Sequence, residues 1–281
     1  MYFIVKSTLR FVVLLALALG CYSRFLEPNW LDTTAHSIPF PRLTRPLRVV
    51  HLSDLHASPE VSPKLVEESL RIAVAAKPDV ITVTGDFVTA TTGFDRPWLV
   101  AQLSLLARAA PTFAVLGNHD GGEWSAIYGD SSSTEAIRSV LRESGITLLD
   151  NEARMIEVHR QAVQLVGVGD LWSGEMDPSR AFGQAQSGLP TILLSHNPDS
   201  KVQLKPYEWD LMLSGHTHGG QVVIPFLGWS PAPVWDRRFI RGLHPWQGRW
   251  IHISRGVGNA RGIRFNCRPE VTILTLAPKT L

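Results

Sequence analysis

Five short stretches hold most of the side chains in this 281-residue chain that could act together chemically. They are Asp54-Leu55-His56, Gly85-Asp86, Gly117-Asn118-His119-Asp120, Ser195-His196 and Gly215-His216-Thr217-His218. Each alone has an ordinary reading. Asp or Asn beside Gly is common turn chemistry, and a histidine at a strand end is more often a hydrogen-bonded surface group. The set is harder to dismiss, because each stretch follows an apolar run. Together they offer carboxylates, imidazoles and an amide oxygen, a donor set suited to Mn, Fe, Zn or Co. Two such ions about 3.5–4 Å apart can clamp both oxygens of an in-line phosphoryl displacement. A carboxylate shared between them must come from a central strand, and Asp86 is the natural candidate. His119 adds a titratable proton, and Asp120 a carboxylate able to orient it.

Such residues need a scaffold that ends strand after strand at one edge. The runs at 47–54, 79–84, 112–116, 190–195 and 209–214 are rich in Val, Ile and Leu, as in strands buried on both faces. Between the first three lie two helical stretches. One covers 62–76, with apolar Leu65, Leu70, Ile72, Ala73 and Ala76, Ser62 as cap and Pro63 in the first turn. The other covers 96–109. This alternation is the βαβ logic of an α/β domain with a mainly parallel sheet. Ligands in such sheets bind beyond the carboxyl ends of the strands. A helix at 133–144, stopped by Gly145, precedes short strands at 147–150, 155–159 and 162–168, and strands at 250–254 and 271–276 close the chain.

The remaining composition sets limits. Hydrophobic residues make up 44%, enough for a core and too few for several membrane spans. The formal charge of +2 gives no reason to expect a nucleic-acid partner. Cys21 and Cys267 sit too far apart in character to suggest a disulfide, and neither has metal-finger spacing. Lys6 and Arg10 precede an apolar run at 11–21, the form of a signal anchor, a cleaved signal peptide or, with Cys21 acylated, a lipoprotein signal. A buried core helix is the bland alternative. Lys6 and Arg10 favour a cytoplasmic start and an external domain, and Arg42, Arg45 and Arg48 counter that. Pro28, Pro39, Pro41 and Pro46 make 27–46 read as an extended linker between an N-terminal segment, 1–26, and a catalytic domain, 47–281.

The five blocks, in this order, resemble the calcineurin-like metallophosphoesterases. The resemblance implies two central mixed β-sheets sandwiched by helices, an α-β-β-α arrangement. It implies that Asp54, His56, Asp86 and His218 hold one divalent ion, manganese first among the candidates, and that Asp86, Asn118, His196 and His216 hold a second. It makes His119 the catalytic acid, with Asp120 orienting it, and a hydroxide between the ions the nucleophile. Glu27-Pro28-Asn29-Trp30-Leu31, Gly219-Gly220-Gln221 and Arg268-Pro269-Glu270-Val271-Thr272 are similar to a membrane-associated bacterial branch. That branch includes phosphodiesterases of simple aryl phosphates and a diphosphatase acting on UDP-2,3-diacylglucosamine in lipid A synthesis. The expected partners are therefore a phosphoester substrate, lipid-linked in the sharper reading, and a membrane. A nuclease and a metal-stabilised interaction scaffold are the other classes weighed. The first would show a basic groove, and the second is disfavoured by a complete ligand set.

Two further features leave their role open. Phe226, Trp229, Trp235, Phe239, Trp246 and Trp250 alternate with Arg237, Arg238 and Arg241, which suits a lipid interface, phosphate or base contact, or plain hairpin packing. Trp172, in the loop 170–178, is a candidate cap over the cleft.

Overall fold

The computed structural model describes residues 2–226, 230–259 and 261–279. Twelve strands form two six-stranded sheets. The first is built from β1 (Asp32–Phe40), β2 (Leu47–Leu52), β3 (Val80–Thr84), β4 (Thr112–Val115), β5 (Thr147–Leu148) and β12 (Glu270–Pro278), in the order β1-β12-β2-β3-β4-β5. The second holds β6 (Glu152–Val158), β7 (Gln161–Gly167), β8 (Thr191–Leu194), β9 (Leu211–Ser214), β10 (Gly242–Trp246) and β11 (Arg249–Ile253), in the order β10-β11-β9-β8-β7-β6. Both sheets are mixed. The central pairs β2–β3, β3–β4, β7–β8 and β8–β9 are parallel, and β12 runs antiparallel to β2.

Alternation along the strands makes the layers. Val49, Val80, Phe113 and Val115 of the first sheet meet Leu165, Ile192, Leu194, Leu211 and Leu213 of the second in one buried cluster between the sheets. Their neighbours Val50, Leu52, Ile81, Val83 and Ala114 face outward onto helices α2 (Pro63–Ala75), α3 (Arg96–Ala109) and α5 (Glu135–Ser144). On the far side, Val166, Leu193, Met212 and Ile253 pack on Ala181 of the short helix α6 (Pro178–Phe182) and on Leu204, Trp209 and Phe239. Helices therefore cover both outer faces, and each buried aliphatic side chain contributes about 1.5–3 kcal/mol.

The segment expected to be a linker is part of this architecture. Residues 32–40 form the edge strand β1, paired in parallel with β12 along its whole length, with Ile38 and Phe40 buried between the sheets. Pro39 is tolerated because an edge strand has one row of donors to spare, and Pro41 falls in the turn after it. Before it, helix α1 (Tyr2–Cys21) buries none of its described side chains, and the chain stays helical through Leu26.

Candidate metal centre

The parallel strands of both sheets end at the same edge, and their loops interlock there. Gly215 N donates to the His196 carbonyl, and His216 N to Asp54 Oδ1 at 3.1 Å. His196 Nδ1 reaches across to the Thr84 carbonyl at 2.6 Å, which fixes that nitrogen as a donor and leaves Nε2 for another task. Close approach explains two of the glycines. A Cβ at Gly117 would overlap Asp86 Oδ1, and one at Gly215 would overlap Ser53 Oγ and Asp54 Oδ2.

The loops are also bent in an uncommon way. Asp54, His56, Asp86, His216 and His218 all have positive φ, between 47° and 69°. A left-handed conformation is unfavourable for most side-chain-bearing residues and persists where surrounding structure enforces it. Five of the seven expected ligands adopt it.

Asp86 occupies the centre. Its Oδ1 accepts from His119 N at 2.9 Å. Its Oδ2 lies 3.5 Å from His56 Nε2 on one side and 3.3 Å from His196 Nε2 on the other. Around the first side, Asp54, His56, Asp86 and His218 place one ligand atom each within 4.8 Å of one another, all buried. His56 Nε2 and His218 Nε2 stand 3.1 Å apart. On the second side, His216 Nδ1 touches Asn118 Oδ1 at 2.8 Å, and the His196 and His216 rings are 5.1 Å apart.

This donor set fits divalent ions. Burial pushes His56 and His216 well below the usual imidazole range and His218 down to about 3, so these rings stay neutral and keep lone pairs. His216 Nε2 is buried with no hydrogen-bond partner. Leaving such a group unpaired costs about 1–3 kcal/mol, a cost that coordination removes. Burial raises Asp54 to about 6, and a cation beside it would favour its charged form.

His119 stands at the rim. Its Nδ1 lies 2.8 Å from the Thr89 carbonyl, and its ring meets His56 at 4.9 Å and Trp124 at 4.5 Å. Trp172 meets His216 edge-on at 4.3 Å and stacks near Trp124 at 6.3 Å. Asp120 does not orient His119. Its carboxylate accepts backbone N–H bonds from Gly117 at 2.9 Å and from Asp86 and Phe87 at 2.8 Å each. It braces the Asp86 loop, and the partner of the His119 ring is a backbone oxygen. Thr89 and Trp124 lay outside the sequence reading. A carbonyl has no side-chain signature, and Trp124 sits in a helix, Gly122–Tyr128, with no motif.

Most of the aromatic and arginine stretch is packing. Phe239 is buried under Lys201, Trp246 stacks on Trp209 at 5.7 Å, and Trp250 lies against the inter-sheet core. Arg237 donates to the Ser230 carbonyl and Arg238 pairs with Asp236. Phe226 and Trp235 are exposed, and Trp229 lies outside the described residues.

Comparison with known proteins agrees with this geometry. The sequence model of the calcineurin-like phosphoesterases matches residues 47–220, and the chain belongs to that family. It is a metal-dependent hydrolase of phosphoric esters. It is 39% identical over 259 residues to phosphodiesterase YaeI of Escherichia coli (strain K12), covering 91% of this chain and 92% of that protein. It is 30% identical over 263 residues to the uncharacterized metallophosphoesterase YkuE of Bacillus subtilis, covering 91% and 88%. It is 27% identical over 303 residues to the UDP-2,3-diacylglucosamine pyrophosphatase LpxG of Chlamydia trachomatis, covering 90% and 91%.

Proposed function

We propose that the chain cleaves the phosphodiester or diphosphate bond of a lipid-linked substrate such as UDP-2,3-diacylglucosamine, at a centre of two divalent ions, with manganese as the working metal. The observation that supports the two-ion reading best is Asp86 Oδ2, which faces imidazole nitrogens on both sides. Asp54, His56, Asp86 and His218 would hold one ion, and Asp86, Asn118, His196 and His216 the other. When bound, the ions supply a nucleophile at neutral pH and neutralise charge on the phosphoryl oxygens.

The chain's own residues do the rest. The Thr89 carbonyl accepts a hydrogen bond from His119 Nδ1, so Nε2 is the nitrogen that would donate to a leaving oxygen. The Nδ1 bond to Thr89 holds the ring in place for that transfer. Trp124 and Trp172, beside His119 and His216, exclude water from one wall of the mouth. The lipid-linked reading is supported by the apolar, unburied α1 and by the pyrophosphatase named among the relatives.

The test is a substrate panel with purified full-length protein and Mn²⁺. It compares UDP-diacylglucosamine, aryl phosphodiesters, cyclic nucleotides, phospholipids and polynucleotides. The highest kcat/KM is expected on the lipid-linked diphosphate. Preference for simple phosphodiesters would favour a general phosphodiesterase, the reading that likeness to YaeI supports. Preference for polynucleotides would remove the lipid reading.

A further inference from the structure

Helix α1 is attached to the domain by built contacts. At its end, the Ser23 carbonyl accepts from Arg264 N at 2.9 Å, and Arg24 Nη1 donates to the Gly262 carbonyl at 3.2 Å. Tyr22 meets Phe265 edge-on at 6.3 Å. Glu27 is buried, and its carboxylate receives the backbone N–H groups of Asn266 and Cys267. These contacts fix where a bilayer holding α1 would lie relative to the domain. A bare tether would need none of them.

Exposed apolar side chains gather at that junction. Phe25, Leu26 and Trp30 come from the helix end, Ile263 from the loop it docks on, and Ile224 and Phe226 from the segment alongside. The three segments are hydrogen-bonded neighbours, since Arg264 N binds the Ser23 carbonyl and Val223 N binds the Phe265 carbonyl. Cations border the patch. The Arg24 guanidinium lies 5.6 Å from the Phe25 ring centre, and that of Arg268 4.9 Å from the Trp30 ring centre. Aromatic and aliphatic groups edged by arginine, continuous with a 20-residue apolar helix, match the chemistry of an anionic phospholipid surface.

The same loop reaches the metal centre. Cys267 Sγ touches the His218 carbonyl at 3.2 Å. Buried Arg264 binds the carbonyls of Arg255, Gly256 and Gly258, and Gly256 packs against Asp54. One loop thus separates the helix end from the first ligand group.

We infer that Phe25, Leu26, Trp30, Ile224, Phe226 and Ile263 form a bilayer-docking face that seats the metal centre at headgroup level beside α1. This rests on the reading of α1 as a membrane helix. It adds that the domain lies down on the membrane in one pose and takes a lipid-linked substrate from that leaflet.

The experiment uses full-length protein carrying Cys21→Ser, with Ile224→Cys, Ile263→Cys or, as control, Met155→Cys on β6, each labelled with an environment-sensitive fluorophore. The proteins are reconstituted into phosphatidylcholine–phosphatidylglycerol vesicles. Flotation of the vesicles reports whether the chain is anchored. A blue shift and quenching by nitroxide lipids are expected at 224 and 263 and not at 155. Flotation with all three labels equally quenched by aqueous iodide would overturn the docking face and leave the anchor standing. Failure to float would overturn both, and the two failures are told apart by flotation alone.

Discussion

Residue by residue, the proposed mechanism separates groups that would hold ions from one that would handle a proton. His119 binds the Asp86 carboxylate through its backbone N–H, and its ring Nδ1 is engaged by the Thr89 carbonyl. His119→Ala should therefore keep its metal content and lose about 10²–10³-fold in kcat. Elemental analysis beside steady-state kinetics checks both halves, and loss of metal would place His119 among the ligands instead. Protonation gives a second prediction. Burial alone would lower His196, but the adjacent Asp86 charge outweighs it and holds the imidazole well above its usual range, while Asp86 itself is held well below the carboxylate range. A ligating nitrogen must lose its proton. Metal uptake at pH 7 should then release about one proton from His196, read by calorimetry in buffers of different ionisation enthalpy. Asp54, raised to about 6 by burial, binds a proton that competes with metal below that pH, so affinity should fall as pH drops through about 6. Affinity that stays flat from pH 7 to 5 would contradict this. The gathering of these side chains at one edge was legible in the sequence because each follows a strand and each has ligand chemistry of its own. The role of Asp120 was not, because a carboxylate beside a histidine looks the same whether it binds the ring or three backbone amides.

At the level of elements, strands and helices with strong periodicity were read nearly to their ends. Residues 96–109 are the clearest case, and Asp95 caps that helix by accepting from Trp98 N. The edge strand was misread as linker because the four prolines in and around it, Pro28, Pro39, Pro41 and Pro46, mask the signal and its pairing partner, β12, is more than two hundred residues away. Phe40→Ala tests its place in the core. A linker residue would cost almost nothing, whereas removal of a buried phenyl should cost about 3–5 kcal/mol in denaturant unfolding. The loop that carries Thr89 makes another case. Asp130 accepts from the backbone N–H and hydroxyl groups of both Thr91 and Thr92. Slight burial would raise it, but the Thr92 and Thr91 bonds outweigh that and hold it down to about 2. A depressed carboxylate stabilises the fold above its unfolded value, about 3.9, and that stability is lost as pH falls toward 2. Asp130→Ala should cost up to about 1 kcal/mol at pH 7, limited by solvent exposure. The difference from the parent should shrink as pH falls from about 4 through about 2. A difference that stays constant over that range would assign the effect to packing.

Across the whole molecule, the division of twelve strands into two sheets is not written in any local stretch. It follows from which runs can bury both faces together, and from crossovers that return β12 to the first sheet. The metal centre lies where the sheets meet at their strand ends. Asp54, His56, Asp86 and Asn118 follow strands of the first sheet, and His196, His216 and His218 follow strands of the second. Ions held by both sets would tie the sheets together at that edge, adding to the hydrogen bonds from His196 to Thr84 and from His216 to Asp54. Binding to the folded state alone stabilises by about 2.7 kcal/mol at a free metal concentration 100 times Kd. For a chain of this size that corresponds to a Tm shift of roughly 5–10 °C. Chelation should therefore lower Tm by that amount, and the loss should be local in origin. Amide exchange should rise at 53–57, 85–88 and 215–220, where ligand loops lose their shared anchor. The strand cores around Ile81 and Leu193 should keep their protection, since their burial needs no ion. Uniform acceleration would mean that the ions support the whole fold, and an unchanged Tm would mean that the hydrogen bonds between the loops already suffice without them.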